Sequence, residues 1–139
     1  MLLKVCRPSI VLSVLLALGC SSSSLTGPTV QLNEVFELKP NEAATVDTTP
    51  IKVHFVSVAN DSRCPIQVIC VQEGDATVKI EVLESGAATK SYELHTATNS
   101  QPVTHQVYTI ELVKLAPYPT SAGQVIVAAD YRATFRVTR

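Results

Sequence analysis

In the segment "ATVKIEVLE" (76–84), Ala76, Val78, Ile80 and Val82 fall on one side of an extended chain, while Thr77, Lys79 and Glu81 fall on the other. Successive side chains of a strand point to opposite faces, so a period of two fits a half-buried β-strand and not a helix. The C-terminal "DYRATFRVTR" repeats the pattern, with Tyr131, Ala133, Phe135 and Val137 alternating with Arg132, Thr134, Arg136 and Thr138. "PIKVHFVSV" (50–58) alternates at Ile51, Val53 and Phe55 and then slips phase to reach Val58, which predicts a β-bulge near Val56 and Ser57. From residue 20 onward, 36 of 120 residues are Val, Thr or Ile. Branching at Cβ restricts these side chains in a helix and suits them to a pleated sheet.

Further strands are predicted at "EVFEL" (34–38), "ATV" (44–46), "IQVICV" (66–71), "KSYELH" (90–95), "HQVYTIELVKL" (105–115) and "QVIVAA" (124–129). Turn-forming runs such as "KPNE", "NDSRCP", "QEGD", "ESGAAT" and "PYPTSAG" separate them. No apolar pattern of helical period lasts beyond a couple of turns. Seven to nine short strands at this spacing predict an all-β domain over residues 30–139, an antiparallel β-sandwich of Ig-like size or an open barrel. The chain has no Trp, so any likeness to antibody domains is one of architecture only.

The N-terminus obeys a different logic. "MLLKVCRPSIVLSVLLALG" (1–19) has basic Lys4 and Arg7, an apolar run over 10–18 and a small residue, Gly19, before Cys20. That is the layout of a secretory signal peptide, and the apolar run is too short to span a membrane. "LALGC" resembles the lipobox of bacterial lipoproteins, with Leu16, Ala17, Leu18 and Gly19 as recognition residues and Cys20 as the acylated first residue of the mature chain. Ala17 stands where leucine is commoner. The resemblance implies export and attachment to the membrane of the cell envelope through the N-terminal lipid. Ser21 after the cysteine implies the outer membrane if the source has two. The Ser-rich "SSSSLTGPT" within 20–29 is expected to be a tether, since it has too little apolar area to offset the entropy of ordering.

Export sorts the four cysteines. Cys6 leaves with the signal and Cys20 carries lipid, which leaves Cys64 and Cys70 as a pair in an oxidising compartment. Their five-residue separation is wrong for a C-x-x-C redox motif, and a structural zinc site would need a second ligand pair at local spacing. A disulfide is the expected outcome. After the signal, nine basic side chains stand against twelve acidic, a net charge of −3. No basic patch of the density that nucleic acid requires is present, and no His or carboxylate cluster suggests a metal or another cofactor.

The segment "DSRCPIQVICVQEGDA" (61–76), followed by "LVKLAPYP" (112–119) and the terminal "DYRATFRVTR", resembles a group of small bacterial secreted proteins and lipoproteins. Their signature is D-S-R-C-P…C-V-W-A-G-x-A, and they have no assigned activity. Asp61, Ser62, Arg63, Cys64, Pro65, Cys70, Val71, Gly74 and Ala76 match it, as do Leu112, Leu115, Pro117, Tyr118 and Pro119 further on. Gln72 and Glu73 stand where the group has Trp and Ala, so an aromatic contact at that place does not carry over.

The sequence offers few sites for chemistry. Asp61, Ser62 and Arg63 have the residue types of a recognition loop in which Arg63 reaches a carboxylate or phosphate. The same types make a turn in which Asp61 satisfies backbone N–H groups and the Arg63 stem packs over it. His95 and His105 flank "TATNSQPVT" and would face each other across a hairpin; two solvated histidines account for them better than a metal site, which would want a third ligand and an oriented second shell where only Glu93 is nearby. His54 lies between Val53 and Phe55 and is expected to face solvent. No G-x-S-x-G elbow surrounds a serine. Tyr118, bracketed by Pro117 and Pro119, either presents an aromatic ring to a partner or plugs the end of the sandwich. The composite expectation is a membrane-tethered, non-catalytic binding or structural module, meeting an envelope protein or surface ligand through Tyr118, Asp61 and Arg63. The alternative is a protease inhibitor or enzyme regulator presenting "APYPTSAG" (116–123).

Overall fold

Among the described residues, the alternation seen in the sequence resolves into nine strands in two sheets: β1 (Thr29–Val30), β2 (Val35–Leu38), β3 (Glu42–Val46), β4 (Ile51–Asp61), β5 (Ala76–Glu84), β6 (Lys90–His95), β7 (Val103–His105), β8 (Tyr108–Ala116) and β9 (Arg132–Thr138). The computed structural model describes residues 27–97 and 99–139; the expected signal peptide, Cys20 and the tether up to residue 26 lie outside the described residues. One sheet has the order β1-β3-β4-β5-β6 and the other β2-β9-β8-β7. Every neighbouring pair is antiparallel except β1 on β3. The sheets face each other as a sandwich rather than closing into a barrel.

The dry face of each strand supplies the core. Val53, Phe55, Val78, Ile80 and Val82 from the first sheet meet Ile110, Ala133, Phe135 and Val137 from the second, all fully buried. Phe135 is central: its ring centroid lies 5.9 Å from Phe55, edge to face, and 6.0 Å from Phe36. Each such side chain contributes roughly 1.5–3 kcal/mol through removal of apolar surface from water. The phase slip in β4 is a bulge between Phe55 and Ser57, and a second shift follows between Val58 and Asn60.

Four expectations need correction. "IQVICV" forms no strand, because the Cys64–Cys70 link folds it into a tight loop whose backbone bonds to the neighbouring loop stop at Ile66 and Gln67. "QVIVAA" is irregular and ends in a short 3-10 turn (Ala128–Asp130); the strands that flank it in sequence, β8 and β9, are already paired on both sides. In both, β-branched propensity loses to the lack of a pairing partner. "HQVYTIELVKL" breaks into β7 and β8 around a two-residue turn, Gln106–Val107, with Gln106 at φ 54°. The expected tether extends too far: Thr29 pairs with Thr45 in β1, and the Thr45 N–H donates to the Pro28 carbonyl at 2.9 Å.

Strands β4 and β8 run toward the same end of the sandwich, where they lead into loops 62–75 and 117–131. β1, parallel to β3, runs away from that end. The Cys64–Cys70 disulfide is present there, with Cα atoms 6.0 Å apart. It closes a short loop, for which the chain-entropy estimate gives about 2 kcal/mol. Replacing both cysteines with serine is expected to lower the unfolding free energy by about 2–3 kcal/mol while the β-type circular dichroism persists at low temperature. Equal urea midpoints for the two proteins would contradict this.

Candidate functional site

The stapled end is built outward from the last residues of β4. Beyond Asp61, the Ser62 N–H donates to the Asp75 carbonyl at 2.7 Å and the Cys64 N–H to the Glu73 carbonyl at 2.8 Å, so the β4–β5 hairpin continues as a narrow neck below the disulfide loop. Gly74 makes the neck possible. Its φ is +71°, and a Cβ there would sit 1.9 Å from the Ser62 carbonyl oxygen.

Arg63 turns inward and joins this loop to the next one. Its Nε and Nη2 donate to the two oxygens of Asp61 at 2.8 and 2.6 Å, a fork-on-fork pair. Nη1 donates to the Leu115 carbonyl at 2.7 Å, and Nη2 also donates to the Pro117 carbonyl at 2.9 Å. The Tyr118 ring lies over the guanidinium with its centroid 4.8 Å away, a cation–π contact. Tyr131 donates its hydroxyl to Asp61 at 2.9 Å from the start of β9. Arg63 is thus buried with four of its five N–H donors occupied internally, and the expectation that it reaches out to a ligand is corrected. Turn chemistry was the right half of that reading, since Asp61 also accepts from the Arg63 backbone N–H at 3.3 Å.

The two loops are joined directly. The N–H groups of Ile66 and Gln67 donate to the carbonyls of Pro119 and Thr120 at 3.1 and 3.0 Å. Gln124 accepts from the Thr120 N–H and hydroxyl at 2.7 and 2.8 Å, which folds the second loop on itself. On this frame stand Ile69 and Val71, fully exposed, with Ile66, Val125 and Val127 more than half exposed and Tyr118 at 44%. Residues 64–72 and 116–129 contain no charged side chain. An open groove of about 550 Å³ runs between the loops, with Asp61, Pro65, Pro119, Val125 and Tyr131 in its walls.

The histidines separate. His95 sits at the stapled end with Nδ1 2.6 Å from Asp75, whereas His105 is buried near the opposite end, bonded to the Tyr92 hydroxyl at 2.9 Å and 3.4 Å from Glu84. They do not face each other, because the turn at Gln106 reverses the chain immediately after His105. His54 is half-buried rather than solvent-facing: its cross-strand neighbour Glu81 holds Nδ1 at 3.1 Å, against the sheet. Asp75 and His95 supply two members of a triad, yet among the described residues no hydroxyl hydrogen-bonds to the other His95 nitrogen. Asp75 also has a structural task, accepting from the N–H groups of Thr96 and Ala97 at 2.9 and 3.0 Å.

These contacts set the protonation states. Burial opposes the charge on Asp61, but hydrogen bonds from Arg63 and Tyr131, and the charge of Arg63, outweigh it and hold the pKa below the ordinary 3.8. Burial likewise opposes the charge on Asp75, and bonds from His95, Ala97 and Thr96 bring it below 3.8. Burial, then the bond to Asp61 and its charge, push Tyr131 up to about 12. A depressed carboxylate pKa stabilises the fold above the unfolded value and loses that contribution as pH falls through the folded value. A raised tyrosine pKa stabilises below 10 and loses its contribution as pH climbs toward about 12. Stability measured against pH is therefore expected to fall below 3.8 and again above 10. Tyr131→Phe should reduce the alkaline decline, and an unchanged alkaline limb in that variant would contradict the assignment.

Tyr131, Asp75 and the aliphatic residues of the loops escape sequence reasoning. Tyr131 and the aliphatics look like strand residues, and only the charge-free runs 64–72 and 116–129 hint at a surface. The chain matches no protein-family model, and no curated protein or solved structure is significantly similar to it.

Proposed function

We propose that this chain is an exported bacterial lipoprotein, anchored through Cys20, that acts as a non-catalytic contact module of the cell envelope through the stapled end of its sandwich. One observation carries the reading. Two loops whose stretches 64–72 and 116–129 carry no charge, locked together by the Arg63 clasp and the bonds from Ile66 and Gln67 to Pro119 and Thr120, present Ile66, Ile69, Val71, Val125 and Val127 to the outside. Apolar groups held outward on a rigid frame fit a contact surface, since ordering them again on binding costs little. The ionisable groups beneath are spent on each other, as Asp61, Arg63 and Tyr131 show.

The inhibitor alternative finds less support. The carbonyls of Pro119 and Thr120, which such a loop would offer to a protease cleft, already accept from Ile66 and Gln67. The resemblance to the D-S-R-C-P group adds a structural rationale at Arg63, Cys64, Cys70 and Gly74, each of which builds the stapled end.

The anchor is tested by metabolic labelling with a palmitate analogue. Wild type is expected to carry the label and to sediment with membranes, and Cys20→Ala to lose both. Label on both proteins, or on neither, would refute the lipoprotein reading.

A further inference from the structure

We infer that β6 is the edge through which two copies of this chain join, the two β6 strands running antiparallel so that a pair of five-stranded sheets becomes one. This surface is separate from the stapled loops, and the inference does not rest on the lipid anchor. Its first basis is the direction of the hydrogen bonds along β6. The Thr96 N–H donates to the Ala76 carbonyl at 3.1 Å, and the register sets Leu94 opposite Val78, Tyr92 opposite Ile80 and Lys90 opposite Val82. In an antiparallel ladder the backbone groups of alternate residues point to the same side. Lys90, Tyr92 and Leu94 therefore bond to β5. The N–H and C=O groups of Ser91, Glu93 and His95 point away from it, where they have no partner among the described residues.

Open sheet edges are ordinarily blunted by shortness, proline or bulges, and the other edges of this sandwich follow that rule. β1 has two residues behind Pro28, β7 has three behind Pro102, and β2 has four. Where β4 outruns β3 beyond Phe55 it carries register shifts, and where β8 outruns β7 beyond Ile110 it carries another, between Leu112 and Lys114. β6 has six residues, no proline and an unbroken register with β5. Its charges then select the partner. Free backbone groups meet in opposed pairs, so the self-pairings with most overlap centre on Tyr92, Glu93 or Leu94. Centring on Glu93 sets two like charges opposite each other, and centring on Tyr92 sets each Glu93 against a serine. Centring on Leu94 sets Glu93 of each copy opposite His95 of the other, on the same outer face. Asp75 already holds the His95 Nδ1 at 2.6 Å, so Nε2 is the nitrogen that meets Glu93 of the second copy. Glu93 has Lys79 at 3.5 Å, an exposed contact that leaves its second oxygen for this bond. A two-fold pairing thus supplies the complementary contact twice. One strand pair buries less than the roughly 800 Å² per partner of a standard interface, so the dimer exchanges its subunits readily.

The test is disulfide trapping with the full-length protein in detergent. Directly opposed residues have Cα atoms about 5.5 Å apart, within disulfide range, whereas Glu93 of one copy and Glu93 of the other would lie roughly 8 Å apart in the Leu94-centred register. Glu93→Cys and His95→Cys proteins are mixed under mild oxidation. The expected result is a crosslinked dimer at least fivefold more abundant in the mixture than with either variant alone or with the wild type. Glu93→Pro gives a second reading, because it removes an outward N–H and leaves every bond from β6 to β5 in place. Sedimentation should show the wild type passing from monomer to dimer with concentration, and Glu93→Pro needing at least tenfold more protein to do so, with its β-type circular dichroism unchanged. A wild type that stays monomeric, trapping no greater in the mixture than in the single variants, or a folded Glu93→Pro protein that pairs as well as the wild type overturns the inference. Trapping of a different chain at position 93 in native envelopes, without trapping of a second copy, assigns the edge to a foreign strand and overturns it too.

Discussion

Replacing Arg63 with alanine is expected to lower the unfolding free energy by about 3–5 kcal/mol, the range for breaking a buried ion pair by removing one member. The side chains of Arg63 and Asp61 are only 4% and 10% exposed, so solvent does little to screen what is lost. Truncation leaves the Asp61 carboxylate with Tyr131 as its remaining side-chain donor and deprives the carbonyls of Leu115 and Pro117 of theirs. It also removes the cation under the Tyr118 ring. The urea midpoint should drop sharply with little change in m, since the same surface is exposed on unfolding. Asp61→Asn combined with Arg63→Met should lose less than the two single changes summed, because no charge is then stranded. A loss below about 1 kcal/mol for Arg63→Ala would return this residue to the role of a surface recognition group.

The second large effect is expected at Gly74. Gly74→Ala should destabilise the domain by about 3 kcal/mol, at the high end for one substitution, because two penalties coincide. The first is the left-handed backbone at φ +71°. The second is a Cβ 1.9 Å from a backbone oxygen, which forces the neck between Ser62 and Asp75 to open. Gly86 separates the two. Its φ is +80°, but nothing lies within 4 Å of its Cβ position, so Gly86→Ala should cost only about 1–2 kcal/mol. Equal losses at the two positions would show that the close approach contributes nothing. Thermal unfolding of both variants in parallel provides the comparison.

Much of the fold was legible because a two-residue period reports directly on which face is dry. β5 and β9 show it residue by residue, from Ala76 to Val82 and from Ala133 to Val137. The disulfide was legible for a different reason: once export is granted, two remaining cysteines at short spacing have little else to become. The candidate site was not legible in the same way. Arg63 looks like a group free to reach a ligand until the carbonyls of Leu115 and Pro117, 52 and 54 residues away in sequence, arrive to occupy it.

What the sequence determined by itself is therefore local: strand periodicity, the bulge in β4, the staple between Cys64 and Cys70, and the features that suggest a lipid anchor. What the tertiary structure decided is which apolar residues stay outside. Ile66, Ile69, Val71, Val125 and Val127 have the same β-branched chemistry as the buried Val78, Ile80 and Val137. They differ only in whether a neighbouring strand is available. A strand needs a hydrogen-bonding partner and a facing sheet, and both belong to distant parts of the chain. Where loops 62–75 and 117–131 meet at the end of the sandwich neither is supplied, so side chains that elsewhere make the core remain on the surface there.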